Sequence, residues 1–289
     1  MIAVLLAGLS LGLLAVWLAG GWMMRPRVTA VPAARGSARD LRILTEDGVS
    51  VAATYRAGIG PRVPAVLLLH GVDASRGAVD PLAAWLAKQG YTTLAVDFRG
   101  HGESTPRPRS FGWHEARDAH AAFFWMQRRH SGARIAVIGI SMGGAASLIG
   151  PRGPLPADAL ILQAVYPDIR HAIRNRIASR LGTWPAALLE PLLSVQARPR
   201  IGVRADAIAP VHAISRFRAP VMVIGGTEDV YTPPAETRAL FQAAPAGRAL
   251  WMVAKGDHAA VCSLSDDVYR DRVLRFLAST VGRSPALHG

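Results

Sequence analysis

The chain has 289 residues with 33 basic and 20 acidic side chains, a formal charge of +13, and only two of the bases, Lys88 and Lys255, are lysines. With 51% hydrophobic residues, 18% charged residues and a mean hydropathy of +0.22, it is too apolar for a disordered polyelectrolyte, and its length allows one large α/β domain or two small ones. A single cysteine, Cys262, excludes an intramolecular disulfide framework and any multi-cysteine metal site, which leaves the charge to be explained.

The first element runs from Ile2 to Met24, 23 residues without an ionisable side chain. As a helix it would measure roughly 35 Å, enough for a hydrocarbon core of about 30 Å. Residues 2–24 are therefore read as a transmembrane signal anchor. A cleaved signal peptide ending near Val31-Pro32-Ala33 is the alternative, but no Lys or Arg precedes the apolar stretch. Trp17 and Trp22 suit a membrane interface. Behind the helix stand Arg25, Arg27, Arg35, Arg39 and Arg42 against Asp40, a net of +4. The positive-inside rule then puts the rest of the chain on the cytoplasmic side of a single-pass membrane protein, with an exported or periplasmic domain as the alternative. Residues 25–40, with Pro26, Pro32 and Gly36, read as a basic tether.

A domain over residues 41–281 follows, with 282–289 as a tail. Leu41–Thr45 and Val49–Tyr55, joined by Glu46-Asp47-Gly48, predict an antiparallel hairpin. Six further apolar runs, Ala65–Leu69, Thr92–Val96, Arg134–Ile138, Ala159–Leu162, Val221–Ile224 and Ala249–Val253, lack polar alternation, as parallel strands covered on both faces do. Helices fit between them at Pro81–Lys88, Trp113–Arg129, Met142–Ile149, Pro234–Ala243 and Asp266–Val281. The expected fold is an α/β domain with an eight-stranded, mostly parallel sheet, helices on both faces and an antiparallel start. About 50 residues between the sixth and seventh strands, residues 167–217, hold helical segments and no strand, and such an insertion is usually functional. The stretch from Arg170 to Arg218 carries nine arginines against Glu190 and Asp206, a net of +7. Tether and insertion thus hold nearly all the excess charge.

The chemistry-bearing pattern begins at Gly139-Ile140-Ser141-Met142-Gly143, a G-x-S-x-G sequence between an apolar strand and a helix of small residues. Ser141 is the candidate nucleophile, held in a strained turn that the flanking glycines permit. An acid and a histidine follow in the required order, each just after a later strand: Asp229 in Gly225-Gly226-Thr227-Glu228-Asp229 and His258 in Lys255-Gly256-Asp257-His258. Loops at the carboxyl ends of strands are where open α/β sheets place their sites. His258 would take the Ser141 proton while Asp229 orients the ring. Glu228 is the nearest alternative acid, Asp257 is adjacent to the histidine it would have to face, and His212 has no strand before it. The oxyanion hole is expected from the backbone N–H groups of Met142 and of Val72, in the loop after Ala65–Leu69. His70 reads chiefly as a buried residue shaping that loop, and Cys262 as a packed thiol.

These elements, with His70-Gly71 and the strand-end motif Asp97-Phe98-Arg99-Gly100-His101-Gly102-Glu103-Ser104, resemble the α/β-hydrolase superfamily over residues 41–281. They are similar to membrane-tethered serine hydrolases of the dienelactone hydrolase and prolyl oligopeptidase branches. The resemblance implies hydrolysis of an ester, thioester or amide through an acyl-enzyme, with no metal and no organic cofactor. The expected function is a carboxylesterase or thioesterase acting on a small or amphiphilic acyl substrate. A serine peptidase or amidase, and a non-catalytic binding protein of the same fold, are the alternatives. The insertion would cap the site, its arginines meeting an anionic bilayer or an anionic acyl group. No nucleic-acid motif or basic–aromatic platform appears, so nucleic acid is not expected as a partner.

Overall fold

The computed structural model describes residues 1–60, 62–245 and 247–282. Residues 283–289, most of the expected tail, lie outside the described residues.

In chain order the strands are β1 (Arg27–Val28), β2 (Arg39–Leu44), β3 (Ser50–Arg56), β4 (Ala65–Leu69), β5 (Thr92–Val96), β6 (His101–Gly102), β7 (Ile135–Ile140), β8 (Ala159–Gln163), β9 (Val221–Gly226) and β10 (Arg248–Val253). Eight of them form one sheet in the order β10-β9-β8-β7-β4-β5-β3-β2. The hairpin β2–β3 and the pair β3–β5 are antiparallel, and all other pairs are parallel. Every residue of β4, β5, β7, β8 and β9 is buried. Their unbroken apolar runs are therefore explained by two covered faces. The strand period of two divides the core. Val66, Leu68, Ala136 and Ile138 pack under helices Arg76–Lys88 and Asp267–Thr280. Leu67, Leu69 and Val137 pack under Glu115–Arg129, Met142–Leu148 and Pro234–Ala243.

Three boundaries differ from expectation for physical reasons. Helix Arg76–Lys88 begins a turn before Pro81, because the Arg76 backbone N–H donates to Asp97 Oδ1 at 2.6 Å and its buried guanidinium binds Asp97 and Glu103. The sheet begins at Arg39, two residues early. The tether, expected to be free of structure over residues 25–40, is docked at its start: β1 pairs in parallel with β6, and Arg27 also bridges Asp73 at 2.9 Å. Local composition could not show this, since the pairing partner lies more than seventy residues away.

The insertion after β8 is helical: Ile169–Leu181, Thr183–Ser194, Ala197–Ile201 and Pro210–Ala213, with two short 3₁₀ turns. It reaches the loop after β9 through Asn175, whose amide donates to the Tyr231 carbonyl at 3.1 Å and to Glu236 at 2.7 Å. The apolar N-terminal helix, Ile2–Met23, is long and apolar enough to cross a membrane. It lies exposed for most of its length.

Candidate active site

The nucleophile turn is built by close packing. Ser141 follows β7 and caps helix Met142–Leu148 with φ 48° and ψ −113°, a region that side chains other than glycine avoid and that persists only where neighbours enforce it. A Cβ on Gly139 would lie 2.5 Å from the Gly144 Cα, and one on Gly143 would lie 2.6 Å from the Leu69 carbonyl carbon. Both glycines are thus required for the helix to approach β7 and β4. Ser141 is 2% exposed, and its backbone N–H donates to the Gln163 carbonyl at the end of β8 at 2.8 Å.

The structure brings Asp229 and His258 together from the loops after β9 and β10. His258 Nδ1 lies 2.8 Å from Asp229 Oδ2. A carboxylate only accepts, so Nδ1 carries a proton, and in the neutral ring Nε2 keeps its lone pair. Asp229 also accepts from the backbone N–H of Tyr231 and of Thr232, both at 2.8 Å, and from the Thr232 hydroxyl at 2.6 Å. Burial opposes its charge, but the hydrogen bonds from His258 and Thr232 outweigh burial and hold the carboxyl below the usual carboxylate range. Glu228 is exposed, and Asp257 instead caps the short helix His258–Cys262 by accepting from the Ala260 N–H. His212 sits exposed in the insertion.

Met142 opens its helix, and the first N–H groups of a helix have no partner within it. The loop after β4 passes over the nucleophile, since a Cβ on Gly71 would lie 3.5 Å from the Ser141 Cβ. Val72, next along, is half-buried. His70 is shaped for position: Nδ1 donates to the Gly71 carbonyl at 2.7 Å and Nε2 accepts from the Phe98 N–H at 3.1 Å. Full burial, with the His101 ring beside it, lowers its pKa to about 3, so it stays neutral. Cys262 is a quiet thiol, pushed up to about 12 by burial and then by Asp229. The strand-end motif is structural in form, with Gly102 against Asp97 and Arg99 bound to Asp47 and Asp118.

Three positioning groups escaped the sequence reading. Gln163 donates through Nε2 to the Val261 carbonyl at 3.1 Å and accepts from the Tyr269 hydroxyl at 2.7 Å, which ties the histidine helix to β8, the strand beside the nucleophile strand β7. A lone amide ending an apolar strand was its only signal. Tyr231 stands edge-on to the His258 ring, the ring centres 5.4 Å apart, and the Arg176 guanidinium of the insertion lies 5.3 Å from the Tyr231 ring centre. Asp73, one residue past Val72, is gripped by Arg27 and Arg109, and Arg109 also donates to the Met23 carbonyl at 2.7 Å. The loop expected to supply an oxyanion donor is thereby tied to the end of the N-terminal helix.

Residues 60–205 match the family described as "Serine aminopeptidase, S33". That span holds Ser141 but not Asp229 or His258. The uncharacterized protein YqkD of Bacillus subtilis is 29% identical over 194 residues, 65% of this chain and 62% of that one, so the match spans less than two thirds of that relative. The uncharacterized protein Rv2307c of Mycobacterium tuberculosis is 29% identical over 88% of this chain and 85% of its own. A lysophosphatidylserine lipase, ABHD12 of Xenopus tropicalis, is 28% identical over 127 residues, 42% of this chain and 32% of that one. Among solved structures, an esterase of Pyrococcus furiosus shares the fold with a TM-score of 0.67 at 22% identity, covering 89% of this chain and 100% of that one.

Proposed function

This chain belongs to the serine aminopeptidase S33 family of α/β-hydrolases, and from that premise we propose that it is a membrane-tethered serine hydrolase cleaving a carboxylic ester or thioester through an acyl-enzyme on Ser141. The observation that carries the proposal is the strained Ser141 turn at the same sheet end as the hydrogen-bonded His258–Asp229 pair.

In this reading the Ser141 hydroxyl attacks the acyl carbonyl and passes its proton to His258 Nε2. Asp229 holds the tautomer and stabilises the imidazolium. Negative charge gathering on the carbonyl oxygen is received by the N–H groups of Met142 and Val72, and one such donor is worth about 10²–10³ in rate. His258 returns the proton to the departing alcohol or thiol. Water then repeats the cycle to release the acid and restore Ser141.

The relative named as a lysophosphatidylserine lipase supports an ester substrate with an acyl chain. The family description, a serine aminopeptidase, favours amide cleavage as the second reading. Full-length protein treated with a fluorophosphonate probe is expected to label, with labelling lost in Ser141→Ala. Turnover of p-nitrophenyl butyrate above that of aminoacyl p-nitroanilides supports the ester, and the reverse order supports the amide. Folded protein that neither labels nor turns over either class would overturn the enzyme in favour of a binding protein.

The helix Ile2–Met23 serves in this reading as the anchor, with the domain on the cytoplasmic side. Arg170, Arg174 and Arg204 pair with Glu190 or Asp206, so contact with anionic headgroups falls to the exposed Arg180, Arg198, Arg216 and Arg218.

A further inference from the structure

Helix Thr183–Ser194 is amphipathic in the wrong sense for water. Its exposed face carries Trp184, Ala187, Leu188, Pro191 and Leu192, at helical spacing and without a charge, and Leu181 and Val195 extend the stripe at either end. Trp184 is 80% exposed and Leu188 66%. Its one charged residue, Glu190, points inward at 1% exposure and binds Arg170 and Arg174. A contiguous exposed apolar face of this kind marks a contact surface, not an ordinary solvated one.

What covers it follows from the element beside it. The end of the N-terminal helix is bound to the cap: Gln196 Nε2 donates to the Val16 carbonyl at 3.1 Å, Arg200 donates to the Trp17 carbonyl at 2.6 Å, and the Arg200 guanidinium lies 4.0 Å from the Trp17 ring centre. Gly20 allows the approach, for a Cβ there would meet Gln196 Cδ at 2.9 Å. The part of the helix ahead of these contacts, residues 2–15, is about 21 Å long at 1.5 Å per residue, short of a hydrocarbon core of about 30 Å. If the anchor spans, lipid must extend beyond Val16, to the level where the cap is attached. The polar groups at that level are already matched to carbonyls and a ring face, as a low-dielectric setting requires.

We propose that helix Thr183–Ser194 is a second membrane element, lying in the leaflet where the anchor ends with Leu181, Trp184, Leu188, Leu192 and Val195 in the acyl region. Interfacial helices sink their apolar face by roughly 5–10 Å, which supplies the missing depth. The same cap touches the site through Asn175 and Arg176 at Tyr231, so the catalytic face is held against the bilayer. The inference rests on the anchor reading and not on the reaction.

Full-length protein in which Cys262 is replaced by alanine, carrying Leu188→Cys, Leu9→Cys or Ser279→Cys with a bimane label, is reconstituted in phosphatidylcholine–phosphatidylglycerol vesicles. Quenching is read from doxyl-labelled lipid and from aqueous iodide. The expected result is that the labels at 9 and 188 lose fluorescence to the lipid quencher and resist iodide, while the label at 279 does the opposite. A label at 9 in lipid with one at 188 open to iodide overturns the proposal and leaves the anchor standing. A label at 188 shielded from both quenchers means a protein partner and also overturns it. Iodide access at both 9 and 188 overturns the anchor and the proposal together.

Discussion

The loops at the carboxyl end of the sheet and the cap helix above them handle burial in opposite ways. In the loops, charge is taken inside only where it is fully matched: the buried Asp229 accepts from four donors, and Gly139 and Gly143 leave no room for slack beside Ser141. In the cap, the acid goes in and the hydrophobic side chains come out. The first arrangement suits a site that must not reorganise during a reaction; the second suits a surface completed by something other than water.

The sharpest way to break this contrast is at the nucleophile. Ser141→Ala is expected to lower kcat by about 10⁴-fold or more, measured by ester turnover on protein of unchanged circular dichroism. Ser141→Gly should be equally inactive yet melt at a higher temperature, because glycine tolerates the positive φ at this turn. Asp229→Asn should cost about 10³–10⁴ in kcat with little change in melting temperature, since it disturbs the tautomer of His258 more than the packing. Gly143→Ala tests whether rigidity is steric: a methyl group against the Leu69 and His70 carbonyls is expected to destabilise by about 3 kcal/mol, read by chemical denaturation. In the cap, Glu190→Ala should remove only about 1 kcal/mol, because Arg170 and Arg174 are half exposed and can turn to solvent. Turnover of short soluble esters should then be unchanged.

A further effect concerns pH. His70 is neutral in the fold down to about pH 3, whereas an unfolded histidine protonates near 6.5. Between these values the unfolded chain binds more protons, so stability falls as pH drops through that window. His70→Gln is expected to make melting temperature less dependent on pH between 6.5 and 4. Part of the slope should persist, since His101, His114 and His120 are lowered too, each chiefly by burial.

Much of this protein was legible because its signals are local. Six strands of the sheet were visible as apolar runs, since strands covered on both faces need no polar alternation, and the other two, β2 and β3, as a hairpin around Glu46-Asp47-Gly48. Ser141, Asp229 and His258 were legible as strand-end residues in a required order. The Asp229 neighbours had a weaker signal, for Tyr231 two residues on is at the spacing at which an Asp side chain closes a turn on its own backbone. Gln163 and Asp73 could not be assigned, because their partners come from other strands and helices. Charge counting likewise overstated the cap: its net of +7 is set by composition, yet Arg170, Arg174, Arg200 and Arg204 are engaged within the molecule.

The sequence by itself determined the individual strands, the elbow glycines and the apolar first helix, since each depends on residues close together along the chain. Tertiary structure alone decided that the chain after that helix docks on Gly100 and Gly102, and that Arg109 links the Val72 loop to it. It also decided which way helix Thr183–Ser194 faces. An amphipathic pattern specifies two faces but not which is inside, and here the pairing of Glu190 with two arginines turned the apolar one out.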